Sequence, residues 1–109
     1  MTTAHQILTN ARKLIAAPSG WTRNAFARLS DGRETWAGDP KATCFCALGA
    51  LARAGKDATF TARDDAEAAL VLASRRLYDY RPEVVNDIRG HAQVLDVYDA
   101  AISDMETAS

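Results

Sequence analysis

Apolar residues Ala4, Ile7, Leu8, Ala11, Leu14 and Ile15 recur three and four positions apart in TTAHQILTNARKLIAAPSG, the spacing of one stripe along an α-helix. Thr2 or Thr3 can cap its start. Pro18 and Gly20 stop it, because proline cannot continue the hydrogen-bond ladder and glycine accepts the turn that follows. From Trp21 to Ala37 the helical period disappears, and NAFARLSDGRETWA sets the turn pair Asp31-Gly32 between two short segments. This pattern predicts a small β-hairpin at about 24–37. Two strands do not hold together alone in water, so Trp21, Phe26, Leu29 and Trp36 are expected to lie across the helices as a lid.

Asp39-Pro40 reads as a helix start and Gly55 as its stop, with few polar side chains between, which predicts an enclosed central helix over 40–54. One face carries the small residues Ala42, Cys46, Gly49, Ala50 and Ala54; the other carries Phe45, Leu48 and Leu51. Glycine inside a helix costs roughly 1 kcal/mol relative to alanine, so Gly49 implies a neighbour too close for a Cβ. In ARDDAEAALVLASRRLYDY a third stripe runs through Ala66, Ala69, Leu70, Ala73 and Leu77. Thr61 stands as its cap, with acids near the start, arginines near the end and a break at Pro82. EVVNDIRG reads as a loop. The last helix, HAQVLDVYDAAISDMET, buries Val94, Leu95, Tyr98, Ile102 and Met105, and the tail after Glu106 is expected to fray. The sum is a mainly α fold, a small four-helix domain around a buried central helix, with the whole of 1–109 as a single helical domain.

A chain of 109 residues can form one core without disulfide or metal staples, and 48% hydrophobic with 25% charged residues is the composition of a folded protein. No apolar run nears the ~20 residues that cross a bilayer, and the first helix has polar residues in every turn, so a cytoplasmic protein with no membrane contact is expected. The net charge of −1 hides an asymmetry. Residues 1–61 carry eight Lys or Arg against four Asp or Glu, while residues 62–109 carry five against ten. The two halves are expected to attract each other within the fold before they orient a partner.

The chemistry-bearing residues are few. Cys44 and Cys46, on the expected helix, would point to nearly opposite faces and serve as buried filler. The competing reading is a cysteine-dependent hydrolase or transferase using Cys44 or Cys46 with His91 and with Asn86 or Asp87 as orienting group, the chain order of papain-like enzymes. Against it stand the short chain and the lack of an oxyanion segment before Cys44. Cys-x-Cys with His5 and His91 at the two ends does not have zinc spacing, and no glycine-rich phosphate loop is present, so no metal and no cofactor are expected. Asn86, Asp87, Arg89 and His91 fall within six residues and form the candidate binding set. Arg12, Lys13, Arg23, Arg28 and Arg33 would carry a nucleic-acid interface, the reading that the net charge favours least.

Trp21, then Phe45-Cys46-Ala47-Leu48-Gly49-Ala50-Leu51, then Asn86-Asp87, then Val94-Leu95 with Tyr98-Asp99-Ala100-Ala101-Ile102 resembles a family of small actinobacterial, other bacterial and phage proteins of unknown function. In that family a cysteine heads a CALGAL run, and an Asn-Asp pair, often after an aromatic residue, precedes the last helix; here Val85 takes the aromatic place. The resemblance implies the fold and no activity. The sequence therefore points to a small non-enzymatic protein-interaction module of bacterial or phage origin, acting on a host or defence protein through its acidic half or the segment 83–91, with a homodimer as a further option.

Overall fold

The computed structural model describes residues 2–108. Their helices are α1 (Ala4–Leu14), α2 (Ala47–Ala54), α3 (Phe60–Tyr78), α4 (Pro82–Ile88) and α5 (His91–Ala108). A 3-10 turn (Pro18–Gly20) follows α1, and three two-residue strands, β1 (Ala27–Arg28), β2 (Glu34–Thr35) and β3 (Cys44–Phe45), form an antiparallel sheet in the order β2-β1-β3. The expected mainly α fold and the hairpin are both present. Thr3 caps α1 in a reciprocal box with Gln6, and α1 packs on α2, α3 and α5. Ile7, Leu8, Ile15, Leu70, Val85, Val94, Val97 and Tyr98 fill the space between the helices and are fully buried. The hairpin turns where Asp31-Gly32 predicts: Gly32 has φ +91°, and the Asp31 carboxylate accepts the Arg33 amide.

The central helix begins at Ala47, not at Pro40. Asp39 does what a helix cap does, accepting the Lys41 amide at 2.9 Å, and the Ala42 amide closes one turn onto the Asp39 carbonyl. The chain then leaves helical geometry because Thr43, Cys44 and Phe45, side chains that suit a pleated surface, pair with Arg28 and Ala27 of β1. Cys44 is thus a strand residue and Cys46 is the N-cap of α2, which replaces the picture of two thiols on opposite faces of one helix. A second difference is α4, formed by the segment read as a loop and raising the helices among the described residues to five. Pro82 at its first position and Glu83 in its first turn are start signals of the same kind, but seven residues are too few to display a helical period. The third helix is capped by Thr59, two residues ahead of the expected Thr61. The last helix continues through Ala108; Ser109, the end of the tail expected to fray, lies outside the described residues.

The aromatic lid is only partly a lid. Trp21 packs against the core and Leu29 is half-buried, whereas Phe26 and Trp36 stand 60% and 69% exposed. Phe26 is fixed through its backbone instead. Its carbonyl accepts the Cys46 amide at 3.1 Å and lies against Gly49, where a Cβ would sit 1.8 Å from the Phe26 oxygen. The small face of α2 therefore admits a strand-end backbone at this point, not a neighbouring helix.

Gly49→Ala tests this contact by sign. Helix propensity alone would stabilise the variant by about 1 kcal/mol; collision with the Phe26 carbonyl should instead destabilise it by about 2 kcal/mol or more. Urea unfolding, with the exposed Ala52→Gly as a propensity control, reads the difference.

Candidate functional site

Asn86 is fully buried on α4, and each of its four hydrogen-bonding capacities is used. Its Oδ1 accepts the Trp21 indole N–H at 2.7 Å and the Ala47 amide at 2.9 Å, while Nδ2 donates to the Thr22 carbonyl and to Asp87 Oδ1, both at 3.1 Å. Trp21 and Ala47 can only donate and the Thr22 carbonyl can only accept, so the amide has one allowed orientation. Asp87 Oδ1 also accepts the Asn24 amide at 3.1 Å, steadying a residue whose φ is +64°. The Ala47 amide is one of the free donors at the start of α2, and a second, that of Gly49, goes to Cys46 Sγ at 3.3 Å. Tyr98, fully buried on α5, donates its hydroxyl to the Ala47 carbonyl at 2.6 Å. One amide side chain and one phenol thus join α4, α5, the start of α2 and the segment after the 3-10 turn.

The cysteine hydrolase reading meets contrary geometry. Burial pushes the Cys46 thiol above its ordinary value, outweighing the amides of Gly49 and Leu48, so the sulfur is held as a neutral cap. His91 Nε2 lies 2.5 Å from the Ile15 carbonyl, which can only accept; that nitrogen carries a hydrogen and ties the start of α5 to the end of α1. The ring also leans on Trp21, with centroids 5.4 Å apart. No hydrogen bond joins His91 to either cysteine among the described residues. Burial also pushes the Tyr98 phenol well above its usual range.

The candidate binding set is divided. Asn86 and Asp87 line an open cleft of about 450 Å³ with Asn24, Phe26, Glu34, Thr35, Cys46 and Glu83, whereas Arg89 lies over the Tyr78 ring and His91 is occupied as described. Phe26 separates this acidic cleft from two depressions on its other side. One, about 410 Å³, is walled by Trp36, Ala37, Gly38, Lys56 and Arg63; the other, about 290 Å³, by Ile7, Leu48, Leu51, Asp64 and Glu67; both share Phe26, Ala52 and Arg63. The reading of Trp36 and Phe26 as lid residues missed this face. The available signal was their place on a hairpin too small to bury two large rings.

The basic residues of the N-terminal half are largely engaged within the molecule. Arg12 grips the Asp99 carboxylate through Nε at 2.9 Å and Nη2 at 3.3 Å, Arg33 pairs with Asp31, and Arg28 donates to Thr22 Oγ1 and to the carbonyls of Gly32 and Arg23. Arg23 lies over the Trp21 ring. No group of three or more His, Cys, Asp or Glu converges as a metal site among the described residues.

Two measurements follow from this node. Asn86→Asp keeps both acceptor contacts but sets a second carboxylate beside Asp87 and removes the donor to Thr22; it should cost about 3 kcal/mol at pH 7. Burial and Asp87 raise the folded-state pKa of the new acid, so the deficit relative to the natural protein should shrink as pH falls toward the ordinary aspartate value, as urea midpoints at the two pH values would show. Iodoacetamide on the native protein should leave Cys46 unmodified until denaturant is added; rapid alkylation of Cys46 in the folded state would restore the enzyme reading.

No curated protein and no solved structure matches the chain. A family model does match, over residues 1–104, under the description "Family of unknown function (DUF6197)". The chain belongs to that family.

Proposed function

We propose that this protein is a small non-enzymatic interaction module that binds another protein chain through the face centred on Phe26 and Trp36. The observation that carries the reading is the mounting of these two rings. Phe26 is 60% exposed on a backbone pinned by Cys46 and Gly49. Trp36 is 69% exposed and lies over Gly38, where a Cβ would meet the indole at 2.1 Å. Exposed aromatic side chains on a fixed backbone lose little freedom on binding, and tryptophan is prominent among residues that dominate interface energies. Depressions on both sides of Phe26 give a partner's side chains somewhere to go. Asn86 and Asp87, from the segment expected to make contact, border the same face through the acidic cleft. The state of Cys46 and His91 supports a scaffold over a nucleophile.

Trp36→Ala and Phe26→Ala remove little buried surface and should change the unfolding free energy only slightly, by about 0.5 kcal/mol. Both should abolish capture of a bacterial protein that the natural chain retains, and the loss should be reproduced with the purified pair. A purified partner that binds natural and variant chains equally would overturn this assignment.

A further inference from the structure

Resting on that reading, we infer that the occupant of the Trp36 side of the face is an acidic peptide segment: an apolar or aromatic anchor with an Asp or Glu next to it, on one side only. The depression between Phe26 and Trp36 has an apolar floor of Ala37 and Ala52 and two cations on its rim, Lys56 and Arg63, with no carboxylate in its wall. Neither cation forms an ion pair among the described residues. Lys56 is exposed just past α2, and Arg63 is half-buried, its guanidinium 4.6 Å from the centre of the exposed Phe60 ring. A stacked guanidinium is held in place while its N–H groups stay free, which suits it to a carboxylate. Arg12, Arg33, Arg76 and Arg81 face carboxylates of their own chain, and although Lys13, Arg23, Lys41, Arg75 and Arg89 also form no ion pair among the described residues, none of them lines this depression.

The adjoining depression gives the peptide its polarity. Asp64 and Glu67 wall it beside Leu48 and Leu51 and outnumber the shared Arg63, so a second acid on that side of the anchor would be disfavoured while an apolar residue would be accepted. On the far side of Phe26, Glu34, Glu83 and Asp87 likewise disfavour acids. A carboxylate thus finds favourable potential at the Lys56 and Arg63 rim alone of the three recesses around Phe26.

The test is selection from a random phage-displayed peptide library on the full chain, with counter-selection on Trp36→Ala. The expected outcome is a consensus with Asp or Glu on one side of a Trp, Phe or Leu. A synthetic peptide of that consensus should bind about tenfold more weakly to Lys56→Glu and to Arg63→Glu, with affinity falling as salt rises, while Asp64→Asn leaves binding equal or tighter. Circular dichroism establishes that each variant is folded, and Lys56→Glu, at an exposed position, serves if Arg63→Glu is not. Trp36-dependent peptides that are basic or uncharged would overturn the acidic occupant and leave the interaction face standing. Enrichment that is indifferent to Trp36 would overturn both.

Discussion

A single buried amide with no spare valence organises this fold. Asn86 sits where the end of a short helix, the start of another and a loop meet, and it pairs with the buried Ala47 amide and with the part-buried Trp21 indole and Thr22 carbonyl. Leaving any of these unpaired would cost about 1–3 kcal/mol. An apolar residue of similar volume could fill the space but would orphan the Ala47 amide and the Trp21 N–H together. The Tyr98 hydroxyl completes the arrangement from the other side by taking the Ala47 carbonyl, so the first residue of α2 is held through both its amide and its carbonyl. Short helices seldom stand on propensity alone, and α2, eight residues with a glycine inside it, is held by this node and by its packing.

Much of the helical frame was legible in the residues. Ile7, Leu8 and Ala11 of α1, Ala66, Leu70 and Ala73 of α3, and Val94 and Tyr98 of α5 are buried as their spacing requires, because long amphipathic stretches record their period many times over. The Asp31-Gly32 turn was legible for a different reason: its chemistry is local and needs no partner. Failures fell where a local signal was genuine but short. Asp39-Pro40 does make a capped turn, and the turn ends because Thr43 to Phe45 gain hydrogen bonds to Arg28 and Ala27, residues fifteen or more positions away that local chemistry does not reveal. The α4 segment carries a start signal and too few residues to confirm it.

The candidate site was legible in part for the same reasons. Asn86 and Cys46 stood out by residue type, and both lie at the centre of the structure, but their roles as a four-way connector and as a sulfur cap depend on neighbours distant in the chain. The exposed rings went unread because aromatic residues are ordinarily assigned to cores, and no short stretch of sequence states that Gly38 leaves room for the Trp36 indole and Gly49 for the Phe26 carbonyl. The electrical division of the chain is partly consumed inside the fold, as the Arg12 and Asp99 contact between α1 and α5 shows. That pair is solvated and contributes little to stability.

The way Phe26 is anchored has a consequence for how such a surface can diversify. The hydrogen bond and the glycine contact that fix this residue belong to its main chain, and its ring stands 60% exposed. The ring can therefore be exchanged for another side chain with little penalty to the frame, while Gly49 beneath it is confined to one choice. On the binding role proposed above, a lineage built on this scaffold would be free to change its target at two display positions, and the glycines would mark where the mount, as opposed to the message, is kept.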